Sequence, residues 1–389
     1  MHNTKQIIPQ IRPSIGIIGG GQLGKMMAQE AKRMALKVCI LDPDPECPAS
    51  SLADELLVAD FKNQNAIRKL SDLVDVLTYE IELADSDVLI DLNRAKKAIH
   101  PSPETLKVIQ NKFRQKVFLQ EKNLPVPNFA LLDDISHDSS FAFDRVPLIL
   151  KACENSYDGR GNRLIYNKED FSYAVNEKSL GKWMVEEIIH FRKELSVMVA
   201  RNESGQVSSF PVAENKHSDS ILDTTLVPAR ISKRTAGIAR EIAERTVDVL
   251  KGSGIFCVEM FLRTNGEILI NEIAPRPHNS GHYSIEGCSI SQFEQHIRAI
   301  LNLPLPEPRL RSPTAMVNIL GPSEFEGEYY LDGLNELLSI EGLKLHLYGK
   351  RISKPKRKLG HVTITAASIS EAIAKAKKAK SNLRIMNKT

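Results

Sequence analysis

The sequence predicts a multidomain protein that combines an α/β N-terminal part with an α+β remainder. Ser14–Ile18 is a short isoleucine-rich run that enters a glycine-rich turn and then a helical apolar pattern, which is typical of a βαβ unit. Further along, Asn265-Gly266 separates two apolar runs and is a strong hairpin signal. With 389 residues, the chain is also too long for a single compact core.

The N-terminal elements follow the order of a parallel sheet. After the strand Ser14–Ile18, apolar residues repeat at helical spacing from Leu23 to Met34. Lys37–Leu41 is predicted to be the second strand, and Val74–Thr78 a later one. Strand, glycine turn, helix and strand together indicate a Rossmann-like arrangement.

The glycine turn admits two interpretations. Gly19, Gly21 and Gly24 match the dinucleotide fingerprint, and the acidic Asp42 ends the second strand. Such glycines let backbone N–H groups approach a phosphate at the positive end of a helix. An NAD-dependent dehydrogenase is therefore one hypothesis, and a tight turn without a ligand is the other.

The pattern changes after His100-Pro101. Thr105–Asn123 is predicted to be helical, and the proline-rich segment Pro304–Pro313 is predicted to be a linker. The tail carries a basic stretch and a helix from Ser370. The further predicted strands are Leu148–Lys151, Trp183–Glu187, Glu194–Ala200, Cys257–Leu262, Ile268–Ile273, Ala315–Leu320 and His361–Thr365.

Composition limits the function classes. The net charge of +4 is small for this length, so a large nucleic-acid-binding face is not expected. No apolar run approaches the roughly 20 residues of a membrane helix, and the N-terminus lacks the apolar stretch of a signal peptide. The five scattered cysteines fit neither a disulfide framework nor a zinc site. We expect a cytoplasmic protein with reduced, mostly buried thiols, without membrane or nucleic-acid partners.

Two predicted strands carry a possible magnesium site. Glu259 lies on the first strand of the predicted hairpin, and Asn271 and Glu272 lie on the second, so the three side chains can converge. Carboxylate and amide oxygens are hard ligands that suit Mg²⁺ shared with nucleotide phosphates. The polar segment Ala274–His282 follows directly, and its density of polar side chains favours a binding loop.

Upstream residues are suited to a polyphosphate. Lys151 ends an apolar strand, where its ammonium group can meet phosphate oxygens as a point charge. Ser156–Asn162 contains two glycines and is expected to fold over the phosphates and exclude water. Glu186-Glu187 would offer a backbone hinge for adenine, and Glu194 a carboxylate for ribose hydroxyls.

In this order, these motifs resemble an ATP-grasp domain. Four strings narrow the resemblance to the N5-carboxyaminoimidazole ribonucleotide synthetases of purine biosynthesis, and together they reach from about Ile15 into the C-terminal part. They are Gly20–Met26, Tyr157–Gly161, Asn271–His282 and Arg357–Thr363. The string Asn271–His282 is highly specific to this family, whereas the glycine loop also occurs in many other proteins.

The resemblance implies three domains: a Rossmann-like domain over residues 1–110, an ATP-grasp domain over 111–310 and a small β-rich domain over 311–389. It also implies a ligase that forms a C–N bond. The reaction takes ATP, bicarbonate and 5-aminoimidazole ribonucleotide to N5-carboxyaminoimidazole ribonucleotide, by way of carboxyphosphate. Mg²⁺ is the implied cofactor, without NAD or biotin, and a homodimer is the implied assembly.

The resemblance also implies roles for individual residues. Lys151, Arg276, Tyr157 and Asp158 would be catalytic, and Glu259 and Glu272 would bind magnesium. The implied ATP-binding residues are Lys112, Lys151, Ser156, Tyr157, Asp158, Gly159, Arg160, Gly161, Asn162, Glu186, Glu187, Ile188, Ile189, Glu194, His217, Asn271 and Glu272. The implied ribonucleotide-binding residues are Gln22, Leu23, Glu80, Tyr157, Asp158, Arg160, Arg276, His278, Asn279, Ser280, Lys350 and Arg357.

Some positions depart from the family pattern. Asn155-Ser156 stands where the family usually has two glycines, which is expected to stiffen the loop. Lys112 replaces a usual arginine, which keeps the charge and loses the forked donor. Leu83 replaces a usual asparagine, and Glu214 stands where some members have another polar residue. Other ATP-grasp ligases, such as a formate-dependent glycinamide ribonucleotide transformylase or a biotin carboxylase, remain alternatives.

Overall fold

The computed structural model describes residues 13–135, 147–154, 161–167, 169–171 and 182–388. In these ranges the strands form four sheets with helices packed against them, which confirms the mixed α/β and α+β class. None of the helices in this part of the chain has both the length and the apolar character needed to cross a bilayer. All five cysteines are buried and free, as predicted.

The N-terminal unit is a five-stranded parallel sheet with the strand order β3-β2-β1-β4-β5. The predicted strand, glycine turn, helix and strand are confirmed, whereas β3 and β5 were not predicted. The strands are β1 Ser14–Ile18, β2 Lys37–Asp42, β3 Glu55–Val58, β4 Val76–Tyr79 and β5 Ala98–Ile99, and the helices are α1 Gln22–Arg33, α2 Gln64–Leu73 and α3 Ser86–Arg94, with a 3₁₀ turn at Ser50–Leu52.

The predicted continuous helix over Thr105–Asn123 is wrong, because the structure has two helices there. They are α4 Pro103–Ile109 and α5 Lys112–Glu121. Asn111 is extended, with φ −117° and ψ 110°, and its side chain accepts a hydrogen bond from the backbone N–H of Arg114. Asparagine competes with the helical backbone in this way and caps a new helix instead.

The central unit contains two antiparallel sheets. The smaller sheet has the order β6-β9-β7-β8 and the larger one begins β15-β14-β10-β12-β13, with β11 paired to β10. The strands are β6 Phe129–Leu131, β7 Leu148–Ala152, β8 Asn162–Ile165, β9 Trp183–Glu187, β10 Phe191–Arg201, β11 Val207–Ser209, β12 Ala213–Ser218, β13 Ile221–Val227, β14 Gly254–Arg263 and β15 Ile268–Ala274. The helices are α6 Leu132–Ile135, α7 Lys233–Leu250, α8 Ser284–Gly287 and α9 Gln292–Ile300, with a 3₁₀ turn at Asn279–Gly281.

The C-terminal strands continue the central sheet. β16 pairs with β13 and is followed by β20 and β18, so the larger sheet has nine strands and passes the predicted boundary at residue 311. A separate three-stranded sheet has the order β19-β17-β21. These elements are β16 Thr314–Leu320, β17 Gly327–Asp332, α10 Leu334–Leu338, β18 Leu343–Leu347, β19 Ile352–Ser353, β20 Lys358–Thr365, α11 Ile369–Asn382 and β21 Arg384–Asn387.

The predicted linker Pro304–Pro313 lies on the central unit and has no helix or named strand. The backbone carbonyl of Pro306 accepts hydrogen bonds from Ser208 (2.9 Å) and Gln295 (2.8 Å). Leu305 is buried. The segment is therefore packed against the core instead of connecting two units loosely.

A shared apolar core fixes the N-terminal sheet against the central sheet. Met27 on α1 packs in one cluster with Phe293 and Ile297 on α9, and all three side chains are almost fully buried. Burying each such side chain contributes about 1.5–3 kcal/mol. Arg33 adds an ion pair to Glu294 at 2.7 Å across the same contact. This contact holds the glycine turn at the edge of the cleft described below.

We expect Gly24→Ala to destabilise the protein. A Cβ atom at Gly24 would lie 2.3 Å from the carbonyl oxygen of Gly19, so the first turn of α1 would have to move. Overpacking of this kind costs about 1–3 kcal/mol, measurable as a lower free energy of unfolding in urea. Gly237→Ala in α7 is the matched control, since no atom lies within 4 Å of its Cβ position. Equal destabilisation of the two variants would contradict the close packing of the turn.

Candidate active site

A cleft of about 1780 Å³ opens where the three units meet. Most of the described residues predicted to bind ATP, magnesium or the ribonucleotide line this one cleft. They are Gln22, Leu23, Glu80, Lys112, Lys151, Asn162, Glu194, His217, Glu259, Asn271, Glu272, Arg276, His278, Asn279, Lys350 and Arg357.

Other predicted residues lie elsewhere. Gly161, Glu186, Glu187, Ile188, Ile189 and Ser280 do not line the cleft. Glu186 and Ser280 are buried beneath its wall, and Glu187 binds the backbone N–H of Asn128 at 3.1 Å. The predictions for Ser156, Tyr157, Asp158, Gly159 and Arg160, and the departure at Asn155-Ser156, fall outside the described residues.

The predicted hairpin places the two acidic residues side by side. Glu259 on β14 and Glu272 on β15 are direct partners in the antiparallel register, and a bulge follows Glu259. Burial and the nearby carboxylate of Glu272 raise the pKa of Glu259 to about 7. Burial also acts on Glu272, but the cations of Lys112 and Lys151 hold its pKa below the usual value. Two paired carboxylates of which one resists ionisation are suited to a bound cation.

A buried charge network lies beneath this pair. Glu186 is 2% exposed and contacts the ammonium groups of Lys151 at 2.6 Å and Lys116 at 3.0 Å. Lys151 also lies 3.4 Å from the amide oxygen of Asn271. Lys116 was not predicted, although its position four residues after Lys112 places both on one face of α5. The network fixes Lys151 at the wall of the cleft.

We expect Glu186→Gln to destabilise the protein in a pH-dependent way. The two lysines hold the pKa of Glu186 at about 2, below the ordinary 4.5, despite its burial. The ionised carboxylate therefore stabilises the fold fully above pH 4.5, and this contribution is lost as the pH falls through about 2. Removing one member of a buried ion pair costs about 3–5 kcal/mol.

Urea unfolding at several pH values measures this effect. The difference between wild type and Glu186→Gln should be largest at neutral pH and should shrink below pH 4.5. The exposed Glu241 on α7 provides the control substitution Glu241→Gln, which should have almost no effect. A difference that does not change with pH would mean that the carboxylate acts through packing and not through its charge.

A second pair lies on β10 and β12, which continue the same sheet from β14. Glu194 on β10 is hydrogen-bonded to Nδ1 of His217 on β12. Burial would lower the pKa of His217, but the bond to Glu194 raises it above its usual value. The pair thus presents a carboxylate and an imidazole to the cleft.

The glycine turn is already occupied by side chains of this chain. The Glu80 carboxylate accepts hydrogen bonds from the backbone N–H groups of Gly21 (2.5 Å) and Gly24, and Asp42 accepts one from Gly20 at 2.7 Å. Burial raises the pKa of both carboxyl groups. The N–H groups that would bind a dinucleotide pyrophosphate are therefore in use, and Asp42 is buried in the turn instead of facing a ribose. This arrangement disfavours the dehydrogenase hypothesis.

The loop after β15 supplies polar groups to the other side of the cleft. Arg276 forms an ion pair with Glu82 at 2.9 Å, a partner that the sequence did not indicate. The side-chain amide of Asn279 is 7% exposed, and neither of its polar atoms has a hydrogen-bond partner among the described residues. A buried amide of this kind is costly unless a ligand binds it. The loop is thus arranged for a polar ligand.

The C-terminal basic stretch reaches the same side. Lys350 donates a hydrogen bond to Gln22 at 2.8 Å, which links the C-terminal unit to α1. Arg357 donates to the carbonyl of Ile352 at 2.8 Å and lines the cleft. Lys25 on α1 donates to the carbonyl of Leu347 at 3.2 Å. These contacts bring cations of the C-terminal unit next to the glycine turn.

A further ion-pair group was missed in the sequence. Glu214 is 3% exposed, contacts Lys193 at 2.8 Å and is bound by the guanidinium of Arg230. Burial would raise the pKa of Glu214, but these cations lower it to about 2. The three residues come from β10, β12 and the segment after β13, so only the sheet order brings them together.

Comparison with known domain families divides the chain into three matches. A ribonucleotide synthetase preATP-grasp domain matches residues 13–110, and an ATP-grasp domain matches residues 117–293. A phosphoribosylaminoimidazole carboxylase C-terminal domain matches residues 314–375.

Curated relatives cover most of the chain. The N5-carboxyaminoimidazole ribonucleotide synthase of Bacillus subtilis is 40% identical over 350 residues, which is 90% of each chain. The chloroplastic phosphoribosylaminoimidazole carboxylase of Vigna aconitifolia is 39% identical over 92% of this chain. The chain spans only 64% of the length of that plant protein.

Solved structures agree in fold over nearly the full length. The N5-carboxyaminoimidazole ribonucleotide synthetase of Thermotoga maritima is 46% identical with a TM-score of 0.89, and the match covers 97% of this chain and all of the other. The N5-carboxyaminoimidazole synthase of Aspergillus clavatus, solved with ADP and 5-aminoimidazole ribonucleotide, is 33% identical with a TM-score of 0.86 and covers 95% and 98%.

Proposed function

The chain belongs to the N5-carboxyaminoimidazole ribonucleotide synthase family, ATP-grasp ligases of purine biosynthesis, and we propose that it carboxylates 5-aminoimidazole ribonucleotide with bicarbonate at the expense of ATP. One observation carries the proposal. A single cleft is lined by a carboxylate pair, flanked by Lys112 and Lys151, and by a loop that carries Arg276 and Asn279. Among the described residues, the side-chain amide of Asn279 has no hydrogen-bond partner. The first half suits a metal–nucleotide complex, and the second a polar acceptor.

Mg²⁺ is assigned to Glu259 and Glu272. The donor set fits, because the two carboxylates stand in direct register and both line the cleft. When bound, the metal would neutralise charge on the nucleotide phosphates. Lys112, 3.3 Å from Glu272, and Lys151 would supply further positive charge to the same phosphates.

The nucleotide is assigned to the side of the cleft formed by β7, β10 and β15. Lys151 and Lys112 would contact the phosphates, and Glu194 with its partner His217 the ribose. The adenine role of Glu186–Ile189, at the end of β9 and just after it, is carried over from the resemblance alone, since these residues do not line the cleft. The roles assigned to residues 156–160 remain predictions from the resemblance.

Bicarbonate must be activated before an amine can attack its carbon. A bicarbonate oxygen attacks the γ-phosphorus of ATP, the bond to the β-phosphate oxygen breaks, and ADP and carboxyphosphate form. The exocyclic amine of the ribonucleotide then attacks the carbon, loses a proton and releases phosphate. Carboxyphosphate hydrolyses easily, so a closed and positively charged site raises the yield. Arg276, with Lys151, is assigned to this charge stabilisation.

The ribonucleotide is assigned to the side formed by the glycine turn, the loop after β15 and the C-terminal stretch. Gln22, Leu23 and Glu80 line this side from the N-terminal unit, and Lys350 and Arg357 from the C-terminal unit. Arg276, His278 and Asn279 line the same cleft from the loop after β15. Two basic residues remote from the β15 loop are suited to the 5′-phosphate.

Measurement of ADP release with different acceptors tests the proposal. ADP release coupled to product should require both bicarbonate and 5-aminoimidazole ribonucleotide. Glycinamide ribonucleotide with formate, or biotin with bicarbonate, should not stimulate it. Stimulation by either of these instead would assign the chain to one of the alternative ATP-grasp ligases.

Two further family properties are proposed here. We propose the domain ranges 1–110, 111–310 and 311–389, which the three matched families support although the large sheet crosses residue 311.

We also propose a homodimer, and light scattering after gel filtration should give twice the chain mass.

A further inference from the structure

A row of buried hydrogen bonds crosses the large sheet and ends on the imidazole of His278. Nδ1 of His278 lies 3.3 Å from the backbone N–H of Ser280, which donates to it, and 2.9 Å from the Ser280 hydroxyl. The Ser280 hydroxyl oxygen lies 3.0 Å from that of Ser196 on β10. Asn215 on β12 donates to Ser196 at 2.9 Å, and Thr225 on β13 donates to Asn215 at 3.1 Å. We call these four residues, Ser280, Ser196, Asn215 and Thr225, the polar row.

The direction of each bond in the row is determined. A backbone N–H can only donate, so Nδ1 of His278 accepts and carries no proton. The Ser280 hydroxyl therefore gives its proton to Nδ1 and must accept from Ser196. The Ser196 hydroxyl in turn accepts from the Asn215 amide N–H, while the Asn215 carbonyl oxygen accepts from Thr225. Every hydroxyl proton in the row points toward the histidine.

Burial keeps this direction from being randomised by water. Ser280 and Thr225 are fully buried, Ser196 is 1% exposed and Asn215 is 5% exposed. The residues come from three consecutive strands of one sheet and the loop after β15, and Asn215 and Thr225 are direct cross-strand partners. In such a setting, reversing one bond leaves a buried polar group without a hydrogen-bond partner, which is unfavourable.

The other nitrogen of His278 faces the cleft. Nε2 lies 3.7 Å from a carboxylate oxygen of Glu259, which is too far for a hydrogen bond. His278 itself lines the cleft next to Arg276 and Asn279. In a neutral imidazole whose Nδ1 is unprotonated, Nε2 carries the proton and is a donor.

We propose that Ser280, Ser196 and Asn215 are positioning residues that hold His278 in the Nε2–H tautomer, so that it donates a hydrogen bond to an oxygen of the anionic acceptor or bicarbonate. The assignment of this ligand rests on the proposed function, whereas the tautomer rests on the hydrogen bonds alone. The backbone N–H of Ser280 already requires an acceptor at Nδ1, and the row adds a second donor by keeping the Ser280 hydroxyl directed at the same nitrogen. Thr225 anchors the far end by fixing the orientation of the Asn215 amide.

Long-range ¹⁵N–¹H correlation spectra of protein labelled in histidine ring nitrogens read the tautomer directly, without substrates or metal. The chain has ten histidines, so the His278 signals are assigned by their loss in His278→Gln. The wild-type ring should show only the Nε2–H pattern. An Nδ1–H pattern, or an imidazolium pattern at neutral pH, would overturn the proposal.

The variants Ser196→Ala and Asn215→Leu test the row itself. Each frees the Ser280 hydroxyl to rotate away and leaves Nδ1 only the 3.3 Å bond from the Ser280 backbone N–H, so an Nδ1–H signal should appear for part of the His278 population. The turnover number for the ribonucleotide should fall on the order of 10-fold, as for partners that orient a ligating side chain, while the Michaelis constant for ATP stays unchanged. Ser196→Thr, which retains the hydroxyl, should restore the wild-type tautomer.

Ser208→Ala is the matched control, since Ser208 is also buried on this sheet and loses one hydrogen bond, to Pro306, outside the row. It should leave both tautomer and turnover unchanged. If Asn215→Leu does not fold, Thr225→Val tests the far end with a smaller change. Reduced turnover with an unchanged tautomer would overturn the proposal and leave the row a purely structural feature. A wild-type Nε2–H ring in a protein that carboxylates no ribonucleotide would support the tautomer and refute the proposed function instead.

Discussion

Glu272→Gln should lower the rate of ATP-dependent carboxylation by about 10²–10³-fold at low magnesium, because several kcal/mol of charge stabilisation depend on the metal. Glu272 also faces Lys112 at 3.3 Å, so its loss disturbs both the metal and a phosphate-binding cation. Glu259→Gln should have a smaller effect, and added Mg²⁺ should partly restore its rate.

The measurement is the initial rate as a function of magnesium concentration. Glu267→Gln is the control, since Glu267 lies on the same hairpin but is 47% exposed and pairs with Arg263. A near-normal rate of Glu272→Gln at low magnesium would show that this carboxylate is structural and that the metal assignment fails.

Lys350→Ala and Arg357→Ala should each raise the Michaelis constant for 5-aminoimidazole ribonucleotide by an order of magnitude or more. A charge-assisted hydrogen bond to a phosphate contributes about 1.5–3 kcal/mol. The residues assigned to ATP belong to the central unit, so the Michaelis constant for ATP should change little. Bicarbonate-dependent background hydrolysis of ATP should survive in both variants.

Arg351→Ala provides the matched control within the same basic stretch. Arg351 is 71% exposed, pairs with Glu328 and does not line the cleft. Lys354 is unsuitable for this purpose because it lines the cleft. If Arg351→Ala weakened ribonucleotide binding as much as the other two, the stretch would act as a diffuse positive surface and not as a phosphate site.

Local patterns in the sequence were sufficient to predict the parallel N-terminal sheet and the hairpin that carries the acidic pair. Both depend on neighbouring residues: the apolar periodicity around the glycine turn, and Asn265-Gly266 between two strands. The register of Glu259 with Glu272 follows from that hairpin. The break between α4 and α5 at Asn111 was missed because an apolar helical period runs through it and conceals the cap.

Features that depend on distant segments were not predictable in this way. Lys116 pairs with Glu186 seventy residues later, and the glycine turn is occupied by the Glu80 carboxylate. The continuation of the large sheet past residue 311 depends on pairing between β13 and β16. In each case the decisive contact is set by the packing of whole units, which a motif does not encode.

Transfer of ¹⁸O from labelled bicarbonate tests the central claim most directly. If ATP phosphorylates bicarbonate and the ribonucleotide amine then attacks the carbon, the bridging oxygen leaves with the phosphate. One ¹⁸O atom should therefore appear in each phosphate released, in step with formation of the carboxylated ribonucleotide, as measured by mass spectrometry or ³¹P NMR. Phosphate that carries no ¹⁸O from bicarbonate, with the ribonucleotide and ATP both present, would contradict the account.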